Sequence, residues 1–179
     1  TPDVPFISLS AEGEMWQARF TGQPDAFSER GGLVSYEVAG ASHSRAEVPG
    51  LVPDQFYAPP RADMIRAGVQ VPPAGATADP ARNDLPWAPL LRGAWHNLQL
   101  WSREGGRPPQ AAPIAVGADH EIVRDGQGNA IGGVRMPYIE APLFTHTGYL
   151  AAGGMGGITG SKRPLAPEAL RELYSDNAA

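Results

Sequence analysis

Val4-Pro-Phe-Ile-Ser-Leu-Ser-Ala-Glu-Gly-Glu14 and Leu33-Val-Ser-Tyr-Glu-Val-Ala-Gly-Ala-Ser-His43 are the two stretches whose reading decides the fold. Each starts as a short apolar run. Residues 4–10 are partly β-branched and bounded by Pro on one side and an acidic, Gly-containing turn on the other, which predicts a buried strand. Residues 33–39 alternate well enough for a second strand. Gly40 ends it, and a polar loop with Ser42, His43 and Ser44 comes next. The order is strand, acid, connection, strand, histidine.

That order carries chemistry. A serine nucleophile needs a base to take its proton and an acid to hold the base in one tautomer. In a parallel sheet, loops leaving the C-terminal ends of neighbouring strands gather at one edge. A carboxylate after the first strand and a histidine after the second can therefore meet. Glu14 and His43 fit this arrangement, with Glu12 as a second candidate for the acid.

Further along the chain, residues 49–82 are rich in Pro, Gly and Ala and read as a long irregular connection, with a short helix over 62–68. Leu91, Ala94, Trp95, Leu98 and Trp101 recur at three- and four-residue spacing and predict a helix over 88–104. Pro89 suits its first turn, and Gly105-Gly106 and Pro108-Pro109 stop it. Residues 121–135 predict a hairpin turning at Asp125-Gly-Gln-Gly-Asn129. Pro137 and Pro142 confine the next segment to edge or loop backbone. Residues 151–160 read as a Gly-rich loop, and Pro167–Tyr174 as a last short helix with Leu170 and Leu173 facing in.

The composition excludes several classes. The 179 residues carry a formal net charge of −5 and no basic stripe able to neutralise phosphates, so nucleic acid is not an expected partner. No apolar run approaches the roughly 18–20 residues of a membrane span. No cysteine is present, which removes disulfides, thiolate nucleophiles and thiolate zinc sites together. The compartment stays open, an extracytoplasmic one included, because a protein of this size does not depend on disulfides.

Tyr36-Glu-Val-Ala-Gly-Ala-Ser-His43 resembles a segment of a poorly characterised α/β-hydrolase family. Gln23-Pro-Asp25, Ser10-Ala-Glu-Gly-Glu14, the Trp101 helix followed by Gly106-Arg-Pro-Pro109, and Asp125-Gly-Gln-Gly-Asn-Ala-Ile-Gly-Gly-Val-Arg-Met-Pro137 match the same family in the same order. The resemblance spans most of residues 4–140. It implies an α/β fold, here the C-terminal part of an α/β-hydrolase: the last strands of a mostly parallel sheet, packing helices and a C-terminal hairpin. Residues 1–48 would hold the last core strands with the acid and His43. Residues 49–110 would be linker and packing helix, and 111–179 hairpin, loops and terminal helix. The family's acidic turn usually reads Glu-x-Asp, and here it reads Glu12-Gly13-Glu14. Glu14 takes the position of the acid, and its longer side chain leaves Glu12 in competition.

The serine elbow Gly-x-Ser-x-Gly does not occur in these residues, and Ser42, Ser44 and Ser161 lie outside any such motif. The expectation is a piece of a hydrolase that acts on a small-molecule ester or amide. It folds against a preceding or separate N-terminal chain that carries the nucleophilic Ser, and it needs no cofactor. Two other readings stay open. Thr1 resembles the nucleophile of self-cleaved hydrolases, although Pro2 stiffens the backbone there. A catalytically inactive α/β-hydrolase-like binding module is the other.

The remaining candidates read as bland. His96 belongs to a polar helix face, His120 and His146 are isolated, and Asp119-His120-Glu121 lacks a second ligand group at metal spacing. Trp87, Trp95 and Trp101 read as core. Gly153-Gly-Met-Gly-Gly157 lacks the Lys-Ser/Thr and helix of a phosphate-binding loop.

Overall fold

The computed structural model describes residues 3–17, 24–43, 81–118, 121–149 and 160–175. The short helix expected over 62–68, the Gly-rich 151–159, Asp119, His120 and Thr1 lie outside them.

Strand β1 (Pro5–Ala11) and strand β3 (Gly32–Val38) pair in parallel, residue for residue from Pro5↔Gly32 to Ala11↔Val38. Both expected strands are present, each displaced by one residue from its expected limits. A two-residue strand, β2 (Ala26–Phe27), adds antiparallel to the start of β3, so the order is β1-β3-β2. The register puts Ile7 beside Val34 and Leu9 beside Tyr36 on one face. Those four, with Phe27 and Trp101, form one apolar cluster. The Asp25 carboxylate accepts the Ser35 amide at 2.8 Å and so ties the turn before β2 to the middle of β3.

Helix α1 (Ala88–Glu104) packs on this sheet against β1. Pro89 lies in its first turn, where a missing amide costs nothing, and Gly105 at φ 72° returns its amide to the Trp101 carbonyl. The buried face differs from the expected one. Trp101 is buried, but Trp95 is 62% exposed and Leu91 54%. The inward line runs through Leu90, Ala94, Asn97, Leu98 and Trp101, so the helix is rotated away from the side of Leu91 and Trp95. Trp95 is therefore not a core residue.

The expected hairpin at 121–135 is part of a three-chain unit. Ala115 donates to the Ile131 carbonyl, Ile131 to Val123, and Val123 back to Ala115, at 2.8, 2.9 and 2.9 Å. The three amides close a triangle that a simple two-chain hairpin lacks. Gly132 and Gly133, both at positive φ, then carry the chain between Pro113 and Glu37 so closely that a Cβ would lie 2.2 and 2.6 Å from their carbonyl oxygens. Val134 emerges against β3, donating to Glu37 and accepting from Ala39. The buried Glu37 side chain accepts the Ile114 amide at 2.6 Å and closes the same seam.

A short helix, α2 (Pro137–Glu140), and an antiparallel pair, β4 (Phe144–Thr147) with β5 (Ser161–Pro164), complete the described structure, followed by α3 (Pro167–Leu173). Leu170 is half-buried, whereas Leu173 is 40% exposed and does not face in as expected. The second core gathers Ala11, Val38, Ala39, Ala41, Leu85, Ile114, Met136 and Ile139 beneath the ends of β1 and β3. Ile139 is fully buried there, and its Cδ1 would lie 2.6 Å from a Cβ on Gly40. Ile139→Ala should destabilise the protein by about 2–5 kcal/mol and Ile139→Val by about 0.5–1.5 kcal/mol, read as a falling denaturation midpoint in urea. Equal midpoints for the two variants would show that this contact does not support the strand ends.

Candidate functional site

Because Ala11 and Val38 are paired, β1 and β3 end level with each other. The chain after β1 turns at once through Glu12–Gln17, a tight 3-10 helix, and places Glu14 at the sheet edge. The chain after β3 turns at Gly40, φ 73°, and reaches His43. His43 Nδ1 and Glu14 Oε1 are 2.8 Å apart. The second oxygen of Glu14 accepts the Ala11 amide at 2.8 Å, which fixes the rotation of the carboxylate. Nδ1 faces the carboxylate, so in the Nδ1–H tautomer the proton is donated there and Nε2 keeps a lone pair. The His43 side chain is 52% exposed and that of Glu14 35%.

Glu12 is placed elsewhere. Its side chain is fully buried, and both oxygens are occupied. Oε2 accepts the Gly40 amide at 2.6 Å; Oε1 accepts the Arg124 guanidinium at 2.9 Å and the Gly148 amide at 3.0 Å. Of the two candidate acids, the structure brings Glu14 to His43 and turns Glu12 inward.

Backbone packing sets this division. The Gly13 amide donates to the Ala41 carbonyl at 3.0 Å, and a Cβ on Gly13 would lie 2.5 Å from the Gly148 oxygen and 2.9 Å from the His43 amide nitrogen. A Cβ on Gly148 would meet the Ala41 oxygen at 2.3 Å and the Gly13 nitrogen at 2.4 Å. Three backbone segments therefore touch without side chains between them. The glycine in Glu-Gly-Glu is required by this contact.

Several supporting residues had no signal in the sequence. Asn83, fully buried, donates to the carbonyls of Gly40 and Thr147 and accepts the Leu85 amide. Trp87 donates its indole N–H to the Ser42 carbonyl at 3.3 Å. Asn129, also fully buried, accepts the His146 amide. Each acts on backbone far away in sequence, so no local spacing could reveal it. Trp87, a core residue by its sequence context, is half-buried against the second cluster and hydrogen-bonded to the His43 loop.

His146 is not the isolated residue that its surroundings in the sequence implied. It is buried, its Nε2 lies 3.9 Å from Asp84, and Lys162 pairs with the other oxygen of Asp84. Burial pushes the imidazole below its usual range. Asp84 pulls it back up, Lys162 lowers it further, and Glu12 and the Phe144 backbone raise it. Among the described residues no group of three His, Cys, Asp or Glu is placed to hold a metal ion, and no helix is long and apolar enough to cross a membrane.

A parallel strand pair with an acidic turn and a histidine loop at its C-terminal edge is compatible with an α/β fold of the hydrolase kind. The model of a family described as "Alpha/beta hydrolase domain" matches residues 1–179, and the chain belongs to that family. No curated protein and no solved structure matches the chain.

The depressed imidazole of His146 makes stability depend on pH. Below the usual histidine value of about 6.5 the unfolded chain takes up a proton that the folded chain resists, so folding is disfavoured as pH falls. The contribution of His146 to stability should be level above this value, decline below it, and level again once the folded imidazole also titrates. His146→Gln should flatten that decline in urea midpoints measured between about pH 7.5 and pH 5. An unchanged slope would place the acid sensitivity elsewhere.

Proposed function

We propose that this chain supplies the base and the acid of a serine-type hydrolase, and that the nucleophilic Ser is carried by polypeptide outside these residues, on a preceding segment or a separate chain. The single observation that carries the reading is the contact of His43 Nδ1 with Glu14 Oε1 at 2.8 Å, at the level ends of two parallel strands. It supplies two of the three groups that acyl transfer to water requires. The absent elbow motif supports a nucleophile from elsewhere.

In this reaction the serine hydroxyl attacks the carbonyl carbon of a carboxylic ester or an amide. His43 takes the hydroxyl proton on Nε2 and returns it to the leaving oxygen or nitrogen. It then takes a proton from water and returns it to the serine as the acyl group departs. Glu14 holds the imidazole in the Nδ1–H tautomer and stabilises the imidazolium. The half-exposed position of His43 leaves Nε2 accessible to a group arriving from solvent or from a partner surface. None of these steps calls on a cofactor.

Two measurements test this. His43→Ala should lower turnover by a factor on the order of 10³–10⁶ while leaving KM nearly unchanged. A fluorophosphonate should label the partner polypeptide, read as adduct mass on the intact chains. Adduct on Thr1 or on an internal serine of this chain would favour the self-cleaved reading instead. Absence of adduct from every chain would favour the inactive binding module.

A further inference from the structure

We propose that Glu12 is a positioning residue for the His43–Glu14 pair. It acts by fastening the backbone on which both residues stand, without touching substrate. The inference rests on the reading of His43 as the base.

Locally the pair is steadied by one backbone amide, that of Ala11 on Glu14. Both side chains are substantially exposed, and an exposed ion pair contributes little order by itself. The backbone that carries both residues is in turn fastened by buried groups. Glu12 is fully buried, and its two oxygens collect three donors from three separate segments: Gly40 at the start of the His43 loop, Gly148 after β4, and Arg124 from the three-chain unit. A buried carboxylate is costly unless every lone-pair direction is answered by a donor of good geometry. The donor positions are therefore tightly constrained by Glu12, and Glu12 by them.

The consequence for His43 is direct. Fixing Gly40 and Gly148 sets the gap into which Ala41 and Gly13 fit. Gly13 hydrogen-bonds Ala41, and the would-be Cβ of Gly148 lies within 2.4 Å of both Ala41 oxygen and Gly13 nitrogen. Glu14 follows Gly13 by one residue, and His43 follows Ala41 by two. A shift of Gly40 relative to Gly148 would thus be transmitted to both partners of the 2.8 Å contact. The spacing Glu12-Gly13-Glu14 separates the roles of the two carboxylates. The first turns in and holds the loops, and the second turns out and holds the imidazole.

The test compares Glu12→Gln with Glu14→Gln in the protein purified in its natural assembly. Glutamine keeps the shape of Glu12 but presents an amide N–H₂ to one of the donors. Hydrolysis of a p-nitrophenyl ester by Glu12→Gln should show kcat lowered about 10–100-fold with KM within about two-fold of wild type. The ¹⁵N shifts of the neutral His43 imidazole should move from the Nδ1–H tautomer toward the Nε2–H tautomer. Arg124→Gln, at a side chain that is one-third exposed, removes one donor more mildly and should shift both readouts in the same direction. A folded Glu12→Gln or Arg124→Gln protein with lower thermal stability but wild-type kcat and tautomer would overturn the proposal by showing a merely structural role. A loss in Glu12→Gln equal to that in Glu14→Gln, with the His43 tautomer unmoved, would overturn it by making Glu12 the acid. If the wild type shows no His43-dependent turnover, the functional reading fails, and the tautomer shift alone still decides whether Glu12 positions His43.

Discussion

The parallel register of β1 on β3 is the constraint on which the rest of the structure depends. Seven residues of each strand face one another, and both strands stop at the same level. Side chains alternate along a strand, so a slip of one residue would turn Ile7 and Leu9 away from Val34, Tyr36 and Trp101. It would also move the acidic turn by about 3.3 Å relative to the histidine loop, more than a hydrogen bond tolerates. The apolar pattern of two short strands thus sets the distance between two polar residues that lie beyond their ends. The same burial that selects the fold sets the geometry of Glu14 and His43.

Register alone brings the loops near; backbone contact brings them together. Gly13, Ala41 and Gly148 approach within the space a single Cβ would fill. Such closeness leaves carbonyl and amide groups shut off from water, and each needs a partner. Glu12 answers Gly40 and Gly148, Asn83 answers Gly40 and Thr147, Gly13 answers Ala41, and Trp87 answers Ser42. The polar residues around the histidine loop thus come from separate regions of the chain. Arg124, the only cation paired to Glu12 among the ion pairs of the described residues, comes from the same unit that docks on β3 through Val134. Docking of that unit and closure of the loops share the buried carboxylate of Glu12.

How much of this was legible in the sequence depends on the range of the forces involved. Strands β1 and β3, helix α1 and the turn at Asp125–Asn129 depend on local periodicity and on Gly or Pro punctuation, and all were readable from neighbours. The nearness of Glu14 to His43 was readable because strand order implies it. The inward rotation of Glu12 was not, because its partners Gly40, Arg124 and Gly148 are remote in sequence. The rotation of α1 escaped for a related reason. Leu91 and Trp95 satisfy the same three- and four-residue spacing as Leu90, Ala94 and Leu98, and only the sheet surface selects between adjacent lines. The triangle of Ala115, Val123 and Ile131 escaped because a two-chain hairpin and a three-chain unit share the same turn signals.

The two glutamates around Gly13 show how a short motif divides its chemistry by burial. Residues two apart point in different directions when the chain turns tightly, so one carboxylate enters the core as the other leaves it. In the core, Glu12 has lost its water and must be answered by protein donors, which makes its position definite. At the surface, Glu14 keeps partial hydration and is steadied by one backbone amide, from Ala11, so its remaining oxygen is available to the His43 imidazole. A carboxylate at the position of Glu12 has both oxygens committed to Gly40, Arg124 and Gly148. One at the position of Glu14 is too solvated to hold three chain segments together. The tight turn after Ala11 sets the two environments apart.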